Sequence, residues 1–289
     1  MILAIDIGNT TTSFGVFEKG RLASQCSIAT QPTRTPAKAR ASEGRSPERS
    51  RGDEITLQLK ALAKTRKLHL ARAKQIILCS VVPRMSAVLA ESLHSLNAVP
   101  LRVVGQDVIV PLKNRYRYPE QVGQDRLVGA YAAWREFGDE ARRGRPVGRN
   151  PERASQRESK DCIVADFGTA ITIDVVTRLG EYLGGIIAPG LEISLDALAT
   201  RTALLPKVEL KEPPELLGRD TANSIRSGLL YGCVALCDGL VRQLKQQYAK
   251  QAVVIATGGS SPLIAKHART IDHLRPHLVL EGLFHLASR

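Results

Sequence analysis

Residues 2–13 read ILAIDIGNTTTS, and residues 162–171 read CIVADFGTAI. Each is a short apolar run, Ile2 to Ile5 and Ile163 to Ala165, closed by an aspartate, one residue and a glycine. A second apolar run follows each, about Thr12 to Phe17 and Ala170 to Val176. Glu18-Lys19-Gly20 and Arg178-Leu179-Gly180 then read as turns, before Arg21 to Ile28 and Glu181 to Ala188 run back. Apolar runs broken by glycine-containing turns are hairpin signals. Gly20 and Gly180 each lie 14 residues after their aspartate. One Asp-x-Gly is an ordinary turn; a spacing shared across a whole hairpin points to an internal duplication.

The chain between and after the hairpins alternates. Ile55 to Lys67, Ser86 to Ser95, Gln124 to Phe137, Leu191 to Arg201 and Thr221 to Tyr248 carry helical patterns. Gln75 to Val82 (QIILCSVV) is an unbroken apolar run, as expected of a parallel strand buried on both faces. Leu101 to Val104 and Val253 to Ala256 read as further strands, the last running into Thr257-Gly258-Gly259. The fold class is therefore α/β with mixed sheets. At about 100–200 residues per domain, 289 residues suggest two domains. The expected division is 1–117 and 118–289, one Asp-x-Gly hairpin in each.

The formal charge of +13 invites a nucleic-acid reading, so its location matters. Segment 33–52 carries +4 and segment 138–160 carries +3, more than half of the total. Both are rich in Arg, Ser, Pro and Gly and poor in large apolar residues, as basic loop insertions are. No aromatic residue interleaves with their arginines, so bases would find no stacking platform, and a nucleic-acid partner is not expected. No apolar run approaches the roughly 18–20 residues of a membrane span. The start lacks the basic and long apolar regions of a signal peptide. Five dispersed cysteines without a CxxC pair fit a reduced, cytoplasmic chain. The six histidines have no metal-site spacing.

At the strand ends, Gly8 lets backbone approach a ligand, and the N–H groups and hydroxyls after it suit phosphate oxygens. The Asp6 carboxylate suits Mg²⁺ beside a nucleotide phosphate, directly or through water. Two such turns can hold a polyphosphate from two sides. Gly258-Gly259 suits the flat edge of an adenosine; taken alone it reads equally well as a glycine helix cap. Asp125 opens a good helix and reads as its N-terminal cap.

Taken together these residues resemble the actin, sugar kinase and Hsp70-type ATPase superfamily, and within it the type III pantothenate kinases. The resemblance rests on Asp6-x-Gly8-Asn9-Thr10, Val122-Gly123-Gln124-Asp125-Arg126 and Asp166-Phe167-Gly168-Thr169-Ala170. It continues through Gly184-Gly185-x-x-x-Pro189-Gly190, Thr221 ahead of Ser227-Gly228, Thr257-Gly258-Gly259 and Leu278-Val279-Leu280-Glu281-Gly282-Leu283. The resemblance implies two duplicated ribonuclease H-like α/β domains with mixed sheets. It also implies an ATP-dependent kinase that phosphorylates the primary hydroxyl of pantothenate at the first step of coenzyme A biosynthesis.

The same resemblance implies roles. Asp6, Ile7, Gly8, Asn9, Thr10, Thr11, Thr12 and Ser13 form the first phosphate-binding turn. Thr169, Gly258 and Gly259 also touch ATP, which brings its Mg²⁺. Asp125 is the base, and phosphoryl transfer is loose enough that a carboxylate of ordinary basicity can take the proton late. Gly123, Gln124, Asp125, Arg126, Thr221 and Tyr116 face pantothenate, with Tyr118 competing for the tyrosine role. Asp166 holds a monovalent cation, potassium or ammonium. A homodimer is implied as well. The alternative function is a non-catalytic regulatory or accessory protein on the same fold, binding a transcription factor or DNA.

Overall fold

The computed structural model describes residues 1–30, 73–96, 99–138 and 159–289. The expected helix Ile55 to Lys67, the whole of 33–52 and most of 138–160 lie outside them. Two compact units are present: Met1–Val110, Gly123–Val128 and Val279–Arg289 form the first, Pro111–Val122 and Gly129–Leu278 the second.

The first unit is built on a five-stranded sheet in the order β3-β2-β1-β4-β5. Strands β1 (Ile2–Ile7), β2 (Thr11–Glu18) and β3 (Arg21–Ala29) form an antiparallel meander. Lys19 (φ 49°) and Gly20 (φ 81°) make its two-residue turn, both in the left-handed region that matches strand twist. β4 (Gln75–Ser80) runs parallel to β1, and β5 (Leu101–Val103) parallel to β4. Ile76 to Cys79 are all buried, as a central parallel strand requires. Leu3, Ile5 and Ile7 share one face by the period of two, and Met85, Leu89 and Leu93 of helix α1 (Pro83–Leu96) pack with them.

The second unit repeats this plan. β7 (Cys162–Phe167), β8 (Ala170–Val176) and β9 (Glu181–Pro189) are antiparallel. β10 (Val253–Thr257) lies parallel beside β7, and β11 (His273–Leu274) parallel beside β10. The order β11-β10-β7-β8-β9-β6 is that of the first sheet, extended by the two-residue strand β6 (Lys113–Asn114). The expected duplication is therefore present as topology. Even the bulge recurs: Ala23 is the extra residue between the Val16–Ser24 and Phe17–Leu22 pairs, and Leu183 between Val175–Gly184 and Val176–Tyr182.

The single expected cut at 117/118 differs from these units, which are discontinuous. Helix α2 (Gln124–Ala133) begins in the first unit and ends in the second. The last helix, α6 (Leu278–Ala287), sends Phe284 onto Phe17, the rings stacked nearly parallel with centroids 4.6 Å apart. Gly282 lets α6 approach the Val128 carbonyl, where a Cβ would overlap. Stacking and this close approach return the C-terminus to the first core. The expected helix 124–137 also changes character, since Trp134–Gly138 forms a π-helical turn. Its Trp134 Nε1 donates to Arg178 O at 2.9 Å.

Helices α3 (Leu191–Arg201), α4 (Thr221–Gln247) and α5 (Ser261–Ala265) belong to the second unit. α4 is long and apolar enough to cross a membrane by composition alone. Its Leu230, Cys233, Val234, Cys237 and Val241 nevertheless pack into the sheet core with Ile163, Phe167 and Ile173, so it serves as a core helix. All five cysteines are buried.

Candidate active site

In the first unit the candidate residues gather at the C-terminal ends of β1 and β4, where ligands of parallel sheets bind. Asp6 is paired in register with Ser13 on one side and Cys79 on the other. The turn after it is closed by Gly8 N–H donating to Thr11 O at 3.0 Å. Thr30, at the end of β3, donates its hydroxyl to Gly8 O at 2.7 Å, and its Oγ1 lies 3.0 Å from Thr12 Oγ1. Asn9, Thr10 and Thr11 are exposed, while Thr12 is buried and Ser13 half-buried, its hydroxyl 3.1 Å from that of Ser27. The turn thus offers backbone and hydroxyls outward from a base that Thr30 fixes. Thr30→Val is expected to cost about 1–2 kcal/mol of turn stability by leaving the Gly8 carbonyl unsatisfied. A raised KM for ATP with little change in melting temperature would be the sign; an unchanged KM would separate Thr30 from nucleotide binding.

Asp125 lies in the first turn of α2, and its Oδ1 accepts the Arg126 N–H at 2.8 Å. A Cβ at Gly123 would run into that same Oδ1, so the glycine gives the carboxylate room to fold back over the turn. This is the physical content of the Gly123-Gln124-Asp125 spacing; Asp125 is the second residue of α2, inside the helix and not the N-terminal cap expected from sequence. Gln124 packs over the Gly105 turn, within 3.0–3.2 Å of a Cβ placed there. Asp6 and Asp125 converge on Cys79: burial pushes that thiol well above its ordinary range, and the charges of Asp6, then Asp125, push it further. Two carboxylates and a phosphate-type turn therefore share one end of the first sheet.

In the second unit Asp166 is in register with Thr172 on β8 and Thr257 on β10. Gly258 follows at φ 90°, and a Cβ on it would overlap Asp166 Oδ1 and the Phe167 backbone. Ser260 N–H donates to Phe167 O at 3.1 Å and ties the glycine turn to the Asp-x-Gly loop. Gly190 closes the other side, donating its N–H to Thr169 O at 3.1 Å. The structure thus brings Asp166, Thr169 and Gly258 together, with Gly259 exposed next in line.

Tyr116 stands apart from these, half-buried against Gly184 and tilted against Tyr182, ring centroids 6.5 Å apart. Tyr118 is 53% exposed. Arg115 and Lys113 hold Glu181 beside them, and the Arg115 hydrogen bond and charge draw the Glu181 carboxyl below the usual range. Thr221 is the exposed first residue of α4, and the helix cap is Asp220, whose carboxylate accepts the Asn223 N–H at 2.8 Å. Thr30, Gly190 and Gly184 are support residues that were not assigned roles from sequence. The two glycines had a motif signal; Thr30 had none.

A groove of about 370 Å³ in the second unit lies elsewhere, on β9 and α4. Leu183, Ile186, Leu240 and Tyr248 are among its lining residues, and no carboxylate is. Among the described residues, no group of three or more His, Cys, Asp or Glu side chains gathers as a metal cluster.

The sequence profile of type III pantothenate kinase matches residues 2–142 and 151–243. The chain belongs to the type III pantothenate kinase family. A relative of that name from Rubrobacter xylanophilus is 38% identical, over 98% of this chain and 96% of its own. Another, from Anaeromyxobacter dehalogenans, is 36% identical over 100% and 99%. Among solved structures, a protein of Campylobacter jejuni described as a Baf family transcriptional activator superposes with a TM-score of 0.54 at 16% identity, covering 99% and 97%. One from Sinorhizobium meliloti described as a 2-dehydro-3-deoxygalactonokinase gives 0.50 at 11% identity, covering 99% and 98%. These two speak for the fold alone.

Proposed function

We propose that this family member transfers the γ-phosphoryl group of ATP to the primary hydroxyl of pantothenate, yielding 4'-phosphopantothenate and ADP on the way to coenzyme A. Near full-length identity to relatives of that name supports the reaction. The observation that carries the site assignment is geometric: Asp6 is in register with Cys79 on β4, and the Gly123–Asp125 turn lies against Val81 just past the end of β4. The turn Asp6 to Ser13 binds ATP phosphates, and Thr169, Gly258 and Gly259 serve the same nucleotide. Gly123, Gln124, Arg126, Tyr116 and Thr221 bind pantothenate. Asp125 orients the alcohol; its oxygen bonds to the γ-phosphorus as the bond to the bridging oxygen breaks, and the proton passes to the Asp125 carboxylate. Positioning and charge neutralisation do most of the work in such a transfer.

Mg²⁺ enters as part of the substrate, with most of its ligands from phosphates and water. A potassium or ammonium ion would be held by Asp166, whose carboxylate offers the oxygen donors that such an ion takes. Bound there, the ion supplies positive charge to the phosphates. We also propose a cytoplasmic homodimer, supported by the exposed apolar residues Ile187 on β9 and Leu236 on α4. The test of the whole reading is ADP release with Mg-ATP and pantothenate, in potassium and then in sodium buffer. Pantothenate-dependent turnover, several-fold higher in potassium, is expected. Folded, ATP-binding protein that leaves pantothenate unchanged would refute the reaction, and equal rates in the two buffers would refute the cation site.

A further inference from the structure

Asp174 on β8 is 2% exposed, and Tyr182 on β9 is completely buried. The Tyr182 hydroxyl donates to Asp174 Oδ1 at 2.7 Å. An ionisable side chain inside a sheet core is costly unless it is satisfied. The duplication shows that the fold does not require one there. The Gly15–Gln25 pair of the first sheet corresponds to Asp174–Gly185 in the second, and Phe17–Leu22 to Val176–Tyr182. The equivalents of Asp174 and Tyr182 are thus Gly15 and Leu22, which also meet: a Cβ at Gly15 would sit 3.2 Å from Leu22 Cδ1. One copy fills this spot with glycine and leucine, the other with a hydrogen-bonded polar pair.

Among the described residues, the second sheet also has what the first lacks, the extra strand β6 on the outer side of β9. Asn114 is in register with Tyr182, and Arg115 N–H donates to Tyr182 O at 2.8 Å. Tyr116, the next residue, lays its ring over Gly184 and tilts it against the Tyr182 ring. Its N–H is fixed by Asn114 Oδ1 at 3.0 Å. A strand of two residues has little pairing of its own, so what fixes Tyr182 also sets where Tyr116 lies. Tyr182 follows the turn beside a bulge, a device that re-aims side chains. Gly184, at φ 125°, is the other surface of the slot.

We infer that Asp174 and Tyr182 are positioning residues for pantothenate: the buried hydrogen bond locks the Tyr182 ring, and the ring holds Tyr116 in place. The inference rests on Tyr116 binding pantothenate. Calorimetry on the full-length protein, with pantothenate and with ATP as separate titrants, tests it. Tyr182→Phe removes one hydroxyl and is expected to weaken pantothenate binding about tenfold, the scale of one buried hydrogen bond with an unsatisfied partner. ATP binding should not change. Asp174→Ser draws the acceptor back and should give the same loss, so either variant suffices if the other does not fold. Asp174→Asn keeps an acceptor oxygen and should bind as wild type does, which an effect of the lost charge would not predict. Tyr116→Ala supplies the reference. If it weakens pantothenate while folded Tyr182→Phe or Asp174→Ser does not, the positioning role is overturned and the Tyr116 assignment survives. Equal losses for ATP and pantothenate would likewise overturn it. If Tyr116→Ala binds pantothenate normally, the Tyr116 assignment falls and this inference with it.

Discussion

Asp125→Asn is expected to lower kcat for pantothenate phosphorylation about a thousandfold, the middle of the range for losing a general base. The substitution is nearly isosteric. The amide oxygen can still accept the Arg126 N–H that Asp125 Oδ1 now takes at 2.8 Å, and the room left by Gly123 is unchanged. The first turn of α2 should therefore keep its shape, and ATP, assigned to the Asp6 turn and to second-unit residues, should bind nearly as before. What disappears is the group that takes the proton from the alcohol. Steady-state ADP release with pantothenate, alongside ATP titration by calorimetry, separates the two quantities. Turnover close to wild type would remove Asp125 from the mechanism. A parallel collapse of ATP binding would mean that its charge serves the nucleotide instead.

That prediction rests on the role the resemblance implies for Asp125; the Asp-x-Gly hairpins, by contrast, carry their own signal. An aspartate at a strand end, a glycine after it and a turn glycine 14 residues on are local features, and they recur. In the structure the duplication extends to the sheet order, since β1-β4 and β7-β10 repeat the same parallel pairing. What the shared spacing hides is a compensation. Four residues separate the Ile7–Thr12 pair, but three separate Phe167–Ile171. The following turn makes up the difference, with two residues between Glu18 and Arg21 against three between Thr177 and Glu181. Constant length therefore does not mean identical loops.

Non-local contacts were not legible. Thr30 reaches Gly8 across 22 positions through a single hydroxyl, which no periodicity records. β6 and β11 span two residues each, too short for any alternation to show. The observed units differ from the single expected cut for a related reason: Leu278 to Leu283 are mostly apolar, but nothing local says which core they join. Phe17 and Val128 decide that, and both are far away in sequence. The roles of Gly123 and Gly190 needed coordinates too, because a motif marks a glycine without saying what a side chain there would strike.

Gly258→Ala and Gly259→Ala, two adjacent changes, should have sharply different consequences. At Gly258 the backbone sits at φ 90°, a region that costs a residue with a Cβ about 1–3 kcal/mol. The new methyl would also overlap the Asp166 carboxylate and the Phe167 backbone, and such overpacking typically costs about 1–3 kcal/mol more. The Phe167 backbone cannot swing away, since it is held in β7 and accepts the Ser260 N–H, so the Asp166 carboxylate is the obstacle that must move. A loss of about 2–6 kcal/mol is expected from these two causes together, seen as a melting temperature lower by roughly 5–20 °C for a unit of this size. The displaced Asp166 should also lose its potassium response. Gly259 has nothing within 4 Å of a built Cβ and an unremarkable φ, so Gly259→Ala should melt like wild type. Its effect should appear only with ATP, as a raised KM, because the added methyl would stand where adenosine is expected to lie against bare backbone. If Gly258→Ala melts normally, the close approach to Asp166 is not a constraint on the fold. If Gly259→Ala leaves the KM for ATP unchanged, the glycine pair is a structural turn, and the adenosine lies elsewhere.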